Sequence, residues 1–556
     1  MAAFFVAGCQ QQQQPTYQAE KSAIFTSAAI SGPHALATEI GKDIMAQGGN
    51  AIDAAVAVQF AMAVCYPRAG NLGGGGFLVY RSASGEFSAL DYRERAPAAA
   101  TRDMYLDENG DVKPKLSTRG HLAVGVPGTV AGIQAMYDKY GSMPWAALVE
   151  PAILLARNGY HISAAEAGRL NAYADDFAAF NTSSPFLKDT FLTGDLLVQA
   201  ELAETLGRIQ ENGAAGFYTG KTAQLIAAEM QSGSGLITEA DLKNYEATWR
   251  EPVLQNYKDY KVASMAPSSS GGVALAQLTG MVAPFDLQSM GFQSTAATHL
   301  MVEAERRAYA DRAEYLGDSD FYPVPISDLI QADYLRERMA DFSPDSAGTS
   351  DHIIAGTIAT KESFETTHIS IVDTAGNAVS ITTTLNGNFG SKVIVDGAGF
   401  FLNNEMDDFS AKPGVPNMFG LVGAEANAIA PGKRMLSSMT PTIVEKDGAL
   451  FMVLGAPGGS TIITAVFQTL LNVVEFNMSL DSAIAAPRFH HQWLPDQILV
   501  EKAALSPSVR EELAAMGHQF REVNRMAVVK AVQVLPDGRL HAAADPRNPD
   551  DDVAGL

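Results

Sequence analysis

The chain is poor in cysteine and in positive charge, and it has no long apolar run. Two cysteines, Cys9 and Cys65, cannot build a disulfide framework, and no Cys/His spacing offers a structural zinc site. With 39 Lys and Arg against 62 Asp and Glu the net charge is −23, a field that repels phosphate backbones and argues against nucleic acid as a partner. No stretch reaches the roughly 18 uninterrupted apolar residues of a membrane-spanning helix. The nearest, Ala51 to Cys65, is broken by Asp53 and Gln59 and reads as a buried helix. Also missing are a Gly-x-Ser-x-Gly elbow, a repeat of fixed period and a phosphate-cradling loop, since Gly216 to Thr222 is one residue short of that spacing. His490 and His491 are adjacent, so on a strand they point to opposite faces and read as structural residues rather than metal ligands.

What is present is a chain of 556 residues, 47% hydrophobic and 18% charged, which can bury a large core. Length alone suggests about three or four domains, but no linker is evident. Met1 to Gly8 is apolar and ends in Val-Ala-Gly-Cys, which resembles the lipobox of bacterial lipoproteins, with Cys9 as the acylated residue and Gln10 to Pro15 as a tether. Residues 1–21 are therefore expected to be an export segment and tether, placing the protein in the periplasm with a lipid anchor at Cys9. Between Pro33 and Cys65 two helical patterns flank Gly48-Gly49-Asn50, where Asn50 can cap the second. Residues 130 to 250 read as mostly helical, and Pro267 to Gly272 as a turn opening a further helix. Ser343 to Lys361 is polar and is expected to be mobile or cleavable. Then come β-rich runs at Phe77 to Tyr80 earlier, and at Thr367 to Asp373, Ala378 to Thr384, Lys392 to Val395 and Leu450 to Leu454.

The most informative stretch is Thr366 to Asn386. Two β-branched runs flank the turn Asp373-Thr374-Ala375-Gly376-Asn377, which predicts an antiparallel hairpin pairing Asp373 with Asn377 and Thr366 with Thr384. Two threonines would then meet where a strand begins.

Around them, Thr366 to Ser370 (TTHIS), Asn403 to Phe409 (NNEMDDF), Ser437 to Thr442 (SSMTPT) and Gly455 to Ser460 (GAPGGS) resemble the γ-glutamyltranspeptidases. So do Asn71 to Phe77 (NLGGGGF), Asp91 to Glu94, Pro127 to Thr129, Tyr309 to Gly317 (YADRAEYLG), Pro487 to Trp493 and Ala544 to Arg547, so that the likeness runs from about residue 22 to the end. That family has the α+β, four-layer αββα sandwich of the N-terminal-nucleophile hydrolases. The resemblance implies self-cleavage between Glu365 and Thr366, leaving a large fragment, 22–365 after its leader, and a small one, 366–556, intertwined as a heterodimer. Thr366 would be the nucleophile, with its new α-amine as base, because a hydroxyl is a weak nucleophile until its proton is taken. An α-amine, with an ordinary pKa of about 7.7 to 8.0, can take it near neutral pH.

By the same resemblance Arg93, Ser437 and Ser438 would clamp the substrate α-carboxylate, Asn386, Glu405 and Asp408 would receive its α-ammonium, Gly458 and Gly459 would form the oxyanion hole, and Thr384 would hydrogen-bond Thr366. Taken singly these groups also read as a surface ion pair, a solvated acidic turn, a polar strand edge and a β-turn; together they complement a free amino-acid head. Glu405 stands where many relatives have Gln, and Phe419, in the lid-like loop Ala411 to Ala424, stands where many have a tyrosine, which implies a looser lid. The implied substrates are glutathione and other γ-glutamyl compounds, with water, amino acids or peptides as acceptors and no metal or organic cofactor. Two alternatives stay open: an acylase of the same fold that removes a glutaryl-type side chain, as from a β-lactam, and an uncleaved solute-binding lipoprotein.

Overall fold

A computed structural model describes residues 17–353, 366–412 and 414–556. Its centre is a pair of seven-stranded sheets. In spatial order the first contains Ser22–Phe25, Leu540–Ala544, Lys530–Val534, Ala449–Gly455, Thr442–Lys446, Tyr260–Ser264 and Val253–Tyr257. The second contains Asp552–Gly555, Ala29–Gly32, Thr367–Val372, Ala378–Thr384, Gly75–Arg81, Phe87–Asp91 and Thr248–Arg250. Each sheet takes strands from both sides of residue 366, so the two parts of the chain are interleaved.

The alternation of side chains along the hairpin explains the layering. Ile369, Ile371, Val379 and Ile381 point outward into a core shared with the helices Ala35–Ala46, Ala51–Cys65 and Trp145–Asn158. Burying each such side chain contributes about 1.5–3 kcal/mol. The opposite face, carrying His368, Ser370, Ser380 and Thr382, meets the first sheet: Ser370 Oγ donates to the Lys530 carbonyl at 3.2 Å and Ser380 Oγ to that of Leu454 at 3.1 Å. Beyond the first sheet lie the helices Gly271–Val282, Thr295–Tyr315 and Thr461–Val474. The order is helix, sheet, sheet, helix, the αββα sandwich expected from the sequence.

Local expectations fare unevenly. Asn50 caps the helix Ala51–Cys65 through a full capping box with Asp53, and every residue of that helix is buried. The helix Gly271–Val282 follows the turn cluster as expected. The run Lys392 to Val395 is not a strand: Gly390 and Lys392 have φ of +53° and +71°, which breaks the pleat, and only Ile394 pairs, as a bridge to Phe401. The segment from Ser343 is tied down as far as it is described. The Ala347 N–H donates to the Met516 carbonyl at 2.8 Å, Ser350 Oγ to that of Trp493 at 2.6 Å, and the Trp493 indole to that of Ile353 at 2.6 Å. Residues 354–361 of the expected mobile stretch, the Glu365 side of the expected cleavage point and Cys9 lie outside the described residues. Among the described residues no helix is long and apolar enough to cross a membrane.

Candidate active site

The hairpin forms in the expected register. Thr367 opposes Thr383, Val372 opposes Ala378, and the Asp373 N–H donates to the Asn377 carbonyl at 3.1 Å. Asp373 makes the turn by accepting the Ala375 and Asn377 N–H groups on Oδ1 at 2.9 Å each. One residue beyond the ladder, Thr366 stands across from Thr384, and both line a cavity of about 310 Å³. Thr366 Oγ1 accepts the Gly458 N–H at 3.0 Å, while Thr384 Oγ1 accepts the Asn386 N–H at 2.7 Å. The expected Thr384–Thr366 hydroxyl contact is thus replaced by two backbone donors, one for each threonine.

The glycines of Gly73 to Gly76 serve close approach. A Cβ on Gly74 would lie 2.0 Å from the Thr384 carbonyl oxygen, and one on Gly75 would lie 2.6 Å from Glu94 Oε2. The loop therefore presses on the hairpin that follows Thr366 from one side and on Glu94 from the other. Asn71 fastens it, donating to the Thr384 carbonyl at 2.8 Å.

Arg93, Glu405 and Asp408 do meet in this cavity; Arg93 and Glu405 are buried and the Asp408 side chain is 11% exposed, which removes the surface readings of each. The Arg93 fork is taken by the acids: Nη1 donates to Glu405 Oε1 and Nη2 to Asp408 Oδ2. Glu94 follows in sequence, 3.6 Å from Arg93, and neither of its oxygens has a hydrogen-bond partner among the described residues. One guanidinium thus faces three carboxyls. Burial pushes the Glu94 carboxyl up to about 8, raises Glu405 well above its ordinary range and raises Asp408, with the nearby Arg93 opposing each shift. A cation entering here would relieve that crowding.

Asn386, at φ +70°, donates through Nδ2 to the Asn404 carbonyl at 3.0 Å, which leaves its side-chain oxygen available at the cavity wall. Ser437 and Ser438 form the opposite wall, held against the Pro267 to Gly272 turn by the Ser270 N–H donating to the Ser437 carbonyl at 2.8 Å. Ser438 Oγ accepts from Arg312 Nη2 at 3.1 Å, and that arginine also lines the cavity. Sequence reading did not single out Arg312. Its signal was a cation on a helical face whose neighbours Ala308 and Tyr309 are apolar and buried.

Phe419 and Leu421, from the stretch 414–424, line the cavity, which gains no phenolic hydroxyl from them. Phe419 is buried above Gly459, where a Cβ would come 2.6 Å from its ring. Asn417 Nδ2 donates to Asp408 Oδ1 at 3.2 Å, and the Met418 N–H to Asp407 Oδ2 at 2.9 Å, so polar groups beside Phe419 provide the latch. His490 and His491 are structural, bonded to Thr464 at 2.8 Å and to Asp496 at 3.2 Å. His299, Glu303 and His518 are close enough to share an ion, but the imidazoles bond each other at 2.8 Å, and Arg306 and Arg307 already neutralise Glu303.

The family model described as Gamma-glutamyltranspeptidase matches residues 37–555. The chain belongs to that family. This γ-glutamyltranspeptidase homologue is 48% identical over 530 residues to the glutathione hydrolase proenzyme of Escherichia coli (strain K12), covering 95% of this chain and 91% of the relative. It is 45% identical over 536 residues to the glutathione hydrolase proenzyme of Pseudomonas aeruginosa, and 36% identical over 525 residues to the Acylase ACY 1 proenzyme of Pseudomonas sp. (strain V22). Among solved structures it resembles cephalosporin acylase from Bacillus halodurans, with TM-score 0.85, 25% identity and 99% of each chain covered. It also resembles Helicobacter pylori gamma-glutamyltranspeptidase, with TM-score 0.57 and 44% identity over 62% of this chain and 99% of that one. Its fold is that of the N-terminal-nucleophile hydrolases, and it is an enzyme of the γ-glutamyl-transferring kind.

Proposed function

We infer that this enzyme is a self-processing γ-glutamyltransferase and glutathione hydrolase in which Thr366 carries the γ-glutamyl group as an ester. One observation carries the reading: the Thr366 hydroxyl opens into a cavity lined by two acids, Glu405 and Asp408, and by two arginines, Arg93 and Arg312, the setting for a free amino-acid head that carries both charges. Cleavage before Thr366 would free its α-amine, which takes the hydroxyl proton as Oγ1 attacks the γ-carbonyl carbon. The oxyanion that develops would be met by the Gly458 and Gly459 N–H groups, the first of which already reaches Oγ1. Collapse expels the amine of the donor, which leaves with the proton held by the α-amine, and the ester remains. Water or an acceptor amine then repeats the sequence in reverse.

In this reading Glu405, Asp408 and Asn386 receive the donor α-ammonium, while Ser437 and Ser438, with Arg93, lie on the side of its α-carboxylate. The fragments 22–365 and 366–556 stay together as a heterodimer because each sheet is built from strands of both. Export to the periplasm with acylation at Cys9, and amino acids or peptides as acceptors, belong to the same proposal. A glutaryl acylase has no use for an ammonium site, and the acylase relative is less similar in sequence, at 36% identity against 48%. The test is kcat/KM of the purified enzyme on γ-glutamyl and glutaryl anilides. Preference for the γ-glutamyl compound is expected; faster release of the glutaryl group would move the assignment to the acylases.

A further inference from the structure

Far from the Thr366 cavity in sequence, the short strands Tyr160–His161 and Leu196–Leu197 pair at the end of the helix Trp145–Asn158, whose Ala156 carbonyl accepts the Gln199 N–H at 2.9 Å. A strand alternates its side chains between two faces, so Leu197 is buried while its neighbours Leu196 and Val198 are turned to solvent, 54% and 38% exposed. Leu192, in the turn closed by the Asp195 N–H donating to the Leu192 carbonyl at 3.1 Å, is 55% exposed. Three of the nine large apolar side chains exposed among the described residues thus fall within positions 192–198. One exposed leucine is ordinary; an apolar ledge with a charged rim, here the Lys188–Asp195 ion pair at 2.5 Å, marks a surface that something covers.

The chain enters the fold beside this ledge. The Tyr17 hydroxyl donates to Glu166 Oε2 at 2.5 Å, the Tyr160 hydroxyl donates to Glu166 Oε1 at 3.1 Å, and Tyr160 is the strand partner of Leu197. Cys9 precedes Tyr17 by eight residues, which reach at most about 28 Å. A globular chain of 556 residues has a radius of gyration of about 24 Å, hence a diameter of roughly 60 Å. A lipid on Cys9 therefore cannot reach around the molecule. It holds the Tyr17 side, and the ledge with it, toward the bilayer.

We propose that Leu192, Leu196 and Val198 form a membrane-contacting surface that sinks into the headgroup region of the bilayer to which Cys9 is tethered. This rests on reading Cys9 as the acylated residue. A single acyl chain holds a protein only marginally and reversibly, and a second apolar contact makes the attachment lasting. With a net charge of −23 the chain is repelled by anionic headgroups, so the lipid that fits is zwitterionic.

The test uses full-length Cys9→Ser enzyme, whose remaining Cys65 is buried, carrying a polarity-sensitive dye on Leu196→Cys. With phosphatidylcholine vesicles the emission is expected to shift to the blue, whereas the same dye on Leu254→Cys, a comparably exposed position on the strand Val253–Tyr257, stays unshifted. The unlabelled Cys9→Ser enzyme should co-sediment with the vesicles, and adding Leu192→Ser, Leu196→Ser and Val198→Ser together should weaken that partition at least about 10-fold with turnover unchanged. No shift at position 196, equal shifts at both positions, or an unaltered partition of the triple variant overturns the proposal. A blue shift that grows with protein concentration in the absence of lipid also overturns it, and assigns the ledge to a second copy of the chain. Intact mass of enzyme taken from membranes tests the anchor separately: an unmodified Cys9 removes the tether, while the vesicle result still decides the role of the ledge.

Discussion

The Thr366 hydroxyl oxygen accepts the Gly458 backbone N–H at 3.0 Å, across 92 residues of sequence. The contact joins the residue before the strand Thr367–Val372 to the glycine turn that opens the helix Thr461–Val474. Gly458 and Gly459 have φ of +149° and +55°, within the region that favours glycine, so the backbone can aim N–H groups inward where a side-chain-bearing residue would be strained.

Substitution at Asp408 separates ammonium recognition from chemistry. Asp408→Asn removes an acid that Arg93 Nη2 and Asn417 Nδ2 both address. Breaking a buried charge pair is worth about 3–5 kcal/mol. A fall in kcat/KM of at least about 100-fold is expected for a γ-glutamyl anilide, and of less than about 5-fold for its glutaryl counterpart. Equal falls on both donors would show that Asp408 supports the fold and not the ammonium.

The loop 414–424 can be loosened without touching Thr366. Asn417→Ala deletes the 3.2 Å bond to Asp408 and leaves Phe419 in place over Gly459. One such bond is worth about 1 kcal/mol, so KM for the donor should rise about 5-fold with kcat little changed. The share of turnover going to hydrolysis should rise with it, measured by comparing donor consumed with transfer product formed. If both quantities stay at wild-type values, the loop is not the cover of the cavity.

Stability should fall with rising pH in a defined window. The Glu94 carboxyl has an ordinary value of 4.5 and burial holds it at about 8 in the fold. Between those values the native chain keeps a proton that the unfolded chain has released, so the stability present below 4.5 is progressively lost up to about 8. Glu94→Gln cannot ionise and should show a flatter melting-temperature profile from pH 5 to pH 8 than the wild type. Parallel profiles would place the titration elsewhere.

How much of this was legible in the sequence depends on whether the deciding contacts are local. The hairpin register followed from the turn at Asp373 to Asn377, because a turn and the period of two dictate which side chains oppose. Asn50 and its helix were legible for the same reason, since a cap and its N–H partners lie within three residues. Lys392 to Val395 misled because β-branched composition says nothing about the left-handed Gly390 and Lys392 beside it. Arg312 was invisible because its partners Ser270 and Ser438 are 42 and 126 residues away, and no spacing rule links them. The partnering of Arg93 with Glu405 and Asp408 was hidden likewise: the residues were expected at the site, but as opposite poles of a substrate clamp rather than as one ion-paired cluster.

The most direct measurement is N-terminal sequencing and intact mass of the small fragment from active enzyme, alongside Thr366→Ala. Active material should yield a fragment that begins Thr-Thr-His-Ile-Ser at Thr366 and runs to Leu556, while Thr366→Ala should stay a single inactive chain. Full activity in a preparation whose peptide bond before Thr366 is intact would rule out the free α-amine as the base, and with it the mechanism described for this site.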